Sequence, residues 1–93
     1  MTWQLFFTEQ YNKRAAKFSK LHHDVETQYA KTLELLELNP HHPSLRLYGL
    51  PEKLDGLQSI AINLKYRIVL EMIITEIEIV LINVGDHDAV YCF

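Results

Sequence analysis

The stretch at residues 66–84, YRIVLEMIITEIEIVLINV, holds two apolar segments separated by a short polar connection. Successive side chains of a strand point to opposite faces, so this alternation predicts strands with one buried face. In the first segment the apolar face comprises Tyr66, Ile68, Leu70 and Met72. The opposite face carries Arg67, Val69 and Glu71. Thr75 and Glu76 lie in the connection, so the stretch predicts a β-hairpin.

Upstream of this hairpin the apolar residues recur with the period of helices. Thr8 suits a helix N-cap, and Glu9 is favourable in a first turn. Apolar residues then follow at helical spacing, at Tyr11, Ala15 and Phe18. The pattern predicts a first helix over residues 9–19 and a second over residues 24–38. Pro40 limits the second helix, because the residue before proline avoids the helical region.

Shorter strands are predicted around the helices, at residues 3–7, 44–50 and 57–64. The order of one strand, two helices and then three or four strands is typical of an α+β fold. We therefore expect two N-terminal helices packed on one face of a small antiparallel β-sheet. The length of 93 residues predicts a single domain over residues 1–93.

The charge of the chain limits the classes of partner. The formal net charge is −3 and the pI is about 5.9. This balance disfavours binding of nucleic acid along an extended groove, because phosphate contacts need clustered Lys and Arg. It leaves room for a local basic patch. Such a patch is predicted on the first helix, at Lys13, Arg14, Lys17 and Lys20.

The sequence gives no indication of a membrane or an oxidising environment. No apolar run reaches the roughly 18 residues of a membrane-spanning helix. The first ten residues lack the basic and small-residue pattern of a signal peptide. The single cysteine, Cys92, fits a reducing compartment. We expect a cytoplasmic protein.

The five histidines are candidate metal ligands. They are His22, His23, His41, His42 and His87. Adjacent histidines point in different directions on a helix and to opposite faces of a strand, so neither HH pair is a good chelating pair. We therefore expect neither a metal nor another cofactor. The first pair is predicted in the turn between the helices, and the second in a surface loop.

Two residues near the last strands admit more than one interpretation. Arg67 lies in the middle of a strand, where it either pairs with Glu71 on the same face or serves a binding site. His87 stands two residues after Gly85 at a strand end, where it is either a turn histidine or a proton-transfer group.

The segments HPSLRLYGL, LQSIAINLKYRIVLEM and EIEIVLINVGDHDAVY together resemble the RelE/ParE superfamily of bacterial type II toxins. The likeness is strongest to its plasmid-stabilisation and YafQ-like members and sharpest over residues 42–91. It implies a small antiparallel sheet with two N-terminal helices on one face. It also implies a toxin that cleaves messenger RNA at the ribosome without a metal, and that has a cognate antitoxin.

The resemblance assigns roles to individual residues. Arg67 would hold the scissile phosphate, His87 would be the general acid or base, and Tyr91 would be the terminal aromatic residue. His42 resembles the loop histidine of YafQ-like members. RNA or ribosome contacts are expected at Lys13, Arg14, Lys17, Lys20 and Lys65. The resemblance is compatible with a homo-oligomer or with a toxin–antitoxin hetero-oligomer.

Departures from the family pattern favour a histidine-based mechanism. Gln58, Ser59 and Ala61 stand on the strand where RelE carries lysines, and Asn83 replaces an arginine of YafQ-like members. Two alternatives stay open at this point. One is a ParE-like toxin that binds DNA gyrase and cuts no RNA. The other is a degenerate member that only binds its antitoxin.

Overall fold

A computed structural model describes residues 2–50 and 56–86 of the chain. The two helices are α1, Glu9–Leu21, and α2, Glu26–Leu38. The strands are β1, Gln4–Phe7; β2, Tyr48–Gly49; β3, Gln58–Ala61; β4, Tyr66–Ile73; and β5, Glu78–Asp86. They form one sheet in the order β1-β5-β4-β3-β2. The predicted α+β architecture, with two helices before most of the sheet, is confirmed.

The sheet is mixed, with β1 at one edge. Strands β2 to β5 pair antiparallel, as expected from the sequence, whereas β1 pairs parallel with β5. Thr8 extends this pairing, because its backbone N–H and its hydroxyl both donate to the carbonyl of Leu81, at 3.3 and 2.8 Å. The same hydroxyl accepts from the N–H of Tyr11 at 3.1 Å and so caps α1, as predicted. One side chain therefore joins the start of α1 to the sheet.

The predicted element boundaries agree best with the structure in the segment where the alternation of apolar residues is longest. The β4–β5 hairpin is confirmed, with a 3₁₀ turn at Ile74–Glu76 in its connection. Helix α2 begins after a separate 3₁₀ turn at His23–Val25. The strand predicted over residues 44–50 is wrong for its first half. A 3₁₀ turn occupies Pro43–Leu45 there, because proline fixes its own φ near the helical value and His42 caps the turn.

The core lies between the two helices and one face of β3, β4 and β5. Its fully buried aliphatic side chains are Leu36, Leu45, Ile60, Ile68, Leu70, Ile79 and Leu81. Phe18 of α1 meets Tyr29 of α2 and Tyr66 of β4 edge-on, with ring centroids 5.4 and 5.1 Å apart. The apolar face predicted for residues 66–72 is thus the face that packs against the helices. Among residues 2–50 and 56–86, no helix is long and apolar enough to cross a bilayer.

A register shift in the β4–β5 hairpin determines which residue of β5 lies beside Arg67, on the sheet face opposite the helices. Val69 pairs with Asn83 and Leu70 pairs with Leu81, so Ile82 is the extra residue of a β-bulge. Because of this residue, Leu81 and Val84 both belong to the core although they are three positions apart. Gly85 becomes the register partner of Arg67. The bulge therefore brings a residue without a side chain next to the arginine of β4.

Candidate functional site

Arg67 lies in the middle of β4 between two small neighbours. Its register partners are Ala61 on β3 and Gly85 on β5. The side chain is half-buried, and its Nη1 atom is buried without a hydrogen-bond partner among the described residues. The guanidinium carbon lies 5.6 Å from the ring centroid of Tyr48, a cation–π distance. This guanidinium retains donor capacity that the described protein groups do not use.

The alternative in which Arg67 pairs with Glu71 is wrong. The ion pairs found within the described ranges join Lys13 to Glu9 and His23 to Glu26. Glu71 is exposed, and its register partner is Val80. Arg67 is therefore not held by an ion pair with another residue of the described ranges 2–50 and 56–86.

Arg67 lines a pocket of about 270 Å³, called here the Arg67 pocket. Its polar lining residues are Gln28, Ser44, Arg46, Asn63 and Arg67. Ala61, Ile62 and Leu64 complete the lining. None of the described residues that line it is acidic. The pocket thus combines two arginines with neutral amides and a hydroxyl, a composition that favours an anion.

Asn63 organises the turn at the edge of this pocket. Its Oδ1 atom accepts hydrogen bonds from the N–H groups of Lys65 and Tyr66, at 2.8 and 2.9 Å. Its Nδ2 atom donates to Oε1 of Gln28 at 3.2 Å. The turn between β3 and β4 is therefore tied to the first turn of α2. Because the amide oxygen of Gln28 accepts here, the amide nitrogen keeps its donor role for other partners.

His42 is joined to the pocket through Ser44. The backbone N–H of Ser44 donates to Nδ1 of His42 at 3.2 Å, and the hydroxyl of Ser44 lies 2.8 Å from the same nitrogen. A backbone N–H can only donate, so Nδ1 must be an acceptor and carries no proton. In the neutral ring the proton then resides on Nε2. The exposed His42 is thus fixed as a donor at Nε2 in this arrangement.

His87 and Tyr91 lie outside the described residues, and their assignments stay predictions. The last described residue of β5 is Asp86, whose register partner is Tyr66, the residue before Arg67. The described structure therefore brings Arg67 together with Arg46 and, through Ser44, with His42.

The cations of α1 form a separate surface. All four side chains of the predicted basic patch are exposed: Lys13, Arg14, Lys17 and Lys20. Lys13 Nζ lies 4.0 Å from a carboxylate oxygen of Glu9. Arg14 and Lys17 line a second cavity of about 270 Å³ against the end of β5. Lys65 is apart from this patch, and its Nζ atom lies 5.6 Å from the ring centroid of Tyr66.

The other histidines have contacts of a structural kind. His22 packs against Phe18 with tilted rings whose centroids are 4.8 Å apart, and its Nδ1 atom lies 3.1 Å from the hydroxyl of Tyr66. His23 and His41 are exposed. Within residues 2–50 and 56–86, no group of three or more His, Cys, Asp or Glu side chains could hold a metal ion.

Sequence reasoning missed Arg46 and Gln28. Two strands, β2 and β3, lie between Arg46 and the strand of Arg67, and Gln28 lies on α2. Neither residue belongs to a local motif. The signal available in the sequence was weak, namely an arginine close to the HHP segment at residues 41–43.

Comparison with known proteins identified the fold. No family model and no curated protein sequence matches the chain. Among solved structures, E. coli YafQ superposes with a TM-score of 0.78 at 13% identity, covering 96% of this chain and 98% of that one. The YoeB/ParE toxin from Agrobacterium tumefaciens gives 0.74 at 13% identity, with coverages of 90% and 98%. The E. coli DinJ–YafQ toxin–antitoxin complex gives 0.77 at 14% identity, with coverages of 98% and 99%. The chain therefore has the fold of RelE/ParE superfamily toxins, and the resemblance seen in the sequence is confirmed at the level of the fold.

Proposed function

We propose that the chain is the toxin of a type II toxin–antitoxin pair and acts as a metal-independent endoribonuclease on messenger RNA at the ribosome. The observation that carries the proposal is the buried Nη1 atom of Arg67, which lacks a partner among the described residues. A buried charged donor without a partner costs free energy, so its retention favours a role with an anionic ligand. The shared fold with RelE/ParE toxins supports RNA as that ligand.

RNA carries its own nucleophile, which explains the small number of residues required. The 2′-hydroxyl attacks the adjacent phosphorus, the bond to the 5′-oxygen breaks, and a 2′,3′-cyclic phosphate forms. The step needs a base for the hydroxyl proton, an acid for the leaving oxygen and a cation for the charge on the phosphoryl oxygens. Arg67 is assigned the last role, because guanidinium stays protonated and its planar fork matches phosphate.

The two histidines have different roles in the proposed step. Neutral His42 holds its proton on Nε2, so we assign it a hydrogen bond from Nε2 to a phosphoryl oxygen. His87 is assigned the proton transfers, on the basis of its residue type and the family resemblance. It accepts the proton of the 2′-hydroxyl, and the imidazolium that forms donates a proton to the leaving 5′-oxygen. Tyr91 is assigned base stacking, for which an aromatic ring near the site is suited.

The test is cleavage of messenger RNA in a translating bacterial extract. His87→Gln keeps hydrogen-bonding capacity and loses the titrating ring, so cleavage should fall by roughly 10²- to 10⁴-fold. His42→Gln should reduce cleavage as well. The matched control is His41→Gln, which removes the exposed neighbouring histidine and should leave cleavage unchanged.

Two outcomes of that assay contradict the proposal in different ways. If His87→Gln and His42→Gln both cleave at the parent rate, histidine acid–base chemistry is excluded. If the parent arrests growth and cleaves no RNA, the gyrase-binding alternative replaces the nuclease.

Ribosome binding is assigned to the basic patch on α1. Replacing Lys13, Arg14, Lys17 and Lys20 with Gln should weaken binding and flatten its salt dependence, because fewer counterions are released. Binding to purified ribosomes across a salt series measures both effects. An unchanged slope would remove the patch from the interface.

The antitoxin partner is proposed from the structural neighbours, several of which are toxin–antitoxin complexes. If a small gene lies next to the gene for this chain, co-expression with its product should yield a complex that co-purifies and suppresses growth arrest. An adjacent gene product that neither binds the chain nor relieves arrest would contradict the pairing.

A further inference from the structure

The described lining residues of the Arg67 pocket do not balance its positive charge. Arg46 and Arg67 both line the cavity, and no acidic side chain occurs among its described lining residues. Two like charges at one small cavity repel each other, and partial burial weakens their hydration. An anion bound between them would relieve both costs.

Arg46 reaches the pocket from an uncommon backbone conformation. It ends the 3₁₀ turn Pro43–Leu45 with φ 51° and ψ 49°, in the left-handed region. A residue with a Cβ atom is disfavoured there relative to glycine. Its side chain is exposed, and neither ion pair found within the described ranges involves it. Glycine would adopt this backbone conformation at a lower free-energy cost than arginine. The presence of arginine at this position makes its side chain a candidate for a functional role.

Gln28 and Arg67 both provide hydrogen-bond donors to the pocket. The oxygen of the Gln28 amide is engaged by Asn63, which leaves the amide nitrogen as a donor. Nη1 of Arg67 is the buried donor without a partner among described residues. A phosphate of the RNA backbone offers only acceptor oxygens, so its chemistry matches this set of donors.

We propose that Arg46 is a second phosphate-binding residue, and that it and Arg67 bind one phosphate group of RNA from two sides of the pocket. Arg67 contributes the half-buried side, Arg46 contributes the exposed rim, and the amide of Gln28 supplies a further donor. The choice of RNA as the source of the phosphate rests on the proposed function. The two-sided arrangement rests on the lining and charge of the pocket.

The experiment titrates adenosine 3′-monophosphate into the full chain and follows backbone amide shifts of residues 61–67 by NMR. The nucleotide should shift these amides, and adenosine, which lacks the phosphate, should not.

Arg46→Gln should weaken nucleotide binding roughly 10- to 100-fold, as expected for the loss of charge-assisted hydrogen bonds. The matched control is Lys31→Gln on α2, which removes the same charge one turn from Gln28 and outside the pocket lining. Its affinity should stay within about twofold of the parent, because exposed charges are screened.

A second variant separates binding from folding. Arg46→Gly removes the same side chain and suits the left-handed backbone, so the fold is retained and binding should weaken to the same extent. The inference is overturned if both Arg46 variants bind the nucleotide like the parent, or if adenosine shifts the same amides equally.

The outcome is independent of the nuclease assay. A parent that cleaves RNA while adenosine 3′-monophosphate leaves the pocket amides unmoved overturns the role of Arg46 and leaves the proposed function standing. A parent that binds the nucleotide through Arg46 and cleaves no RNA supports the pocket and contradicts the nuclease.

Discussion

The hydroxyls of Tyr11 and Tyr29 and the guanidinium of Arg67 are polar groups removed from water in two different ways. Tyr11 on α1 and Tyr29 on α2 are buried in the core, and their hydroxyl groups hydrogen-bond to each other. Nη1 of Arg67 is buried on β4 and has no partner within the described part of the chain. The first site satisfies its polar atoms internally, whereas the second leaves a charged donor unused.

This difference separates a structural contact from a candidate binding site. Burial of a polar group costs free energy unless a hydrogen bond replaces the lost water, and the cost is larger for a charge. The tyrosine pair recovers the cost inside the fold and joins the two helices. Under the proposed function, Arg67 recovers the cost when an anion enters the pocket. The tyrosine pair should therefore respond to mutation through stability, and Arg67 through function.

The largest effect is expected at Arg67. Arg67→Met keeps a long, unbranched side chain and removes the charge, so cleavage in a translating extract should fall by roughly 10²- to 10³-fold. The free energy of unfolding, measured by urea denaturation, should equal or exceed that of the parent, because a buried donor without a partner is removed. Lys31→Met is the control for loss of a positive charge elsewhere. A strongly destabilised Arg67→Met variant would show that the guanidinium has a structural role instead.

The next effect is on stability. Tyr11→Phe removes one hydroxyl and leaves that of Tyr29 buried without its partner, which should cost about 1–3 kcal/mol of unfolding free energy. Tyr11→Phe combined with Tyr29→Phe removes both groups and should recover most of that loss. Urea denaturation of the parent, both single variants and the double variant measures the coupling. If the double variant is destabilised by the sum of the single ones, the hydrogen bond does not link the two positions.

A smaller effect is expected at alkaline pH. Burial raises the pKa of Tyr11 well above its ordinary value, reinforced by the neighbouring Tyr29 hydroxyl. Burial also raises the pKa of Tyr29, and its hydrogen bond with the hydroxyl of Tyr11 partly opposes this shift. Above about pH 10 the unfolded chain loses these protons and the folded chain keeps them, so stability falls as pH rises. Denaturation between pH 8 and 11 should show a steeper loss for the parent than for the Tyr11→Phe, Tyr29→Phe double variant. Parallel curves would contradict the assignment.

The smallest effect is expected for the exposed ion pair on α1. Lys13 Nζ and the carboxylate of Glu9 are 4.0 Å apart, with both side chains largely in solvent. Lys13→Gln should change the free energy of unfolding by less than about 0.5 kcal/mol. Urea denaturation at low and high salt checks this value. A larger, salt-independent loss would mean that Lys13 supports the fold beyond this pair.

The sequence predicted the elements whose pattern is local. Alternation at residues 66–73 identified β4 and the face that packs on the helices, and spacing from Tyr11 to Phe18 identified α1. These predictions succeeded because a strand or helix turns its side chains with a fixed period. The order of the elements then determined the fold class, and the quoted segments determined the resemblance to RelE/ParE toxins.

The tertiary structure decided the features that the spacing of apolar residues along the sequence does not specify. The parallel pairing of β1 with β5 joins segments more than 70 residues apart, and the bulge at Ile82 aligns Gly85 with Arg67. The pocket combines Arg67 with Arg46 and Gln28, which lie in three separate elements or turns. Such convergence depends on strand register and helix packing, which are set by long-range contacts rather than by neighbours in the chain. The sequence thus determined which residue types are available for phosphate chemistry. The fold decided which of the described residues come together in the Arg67 pocket.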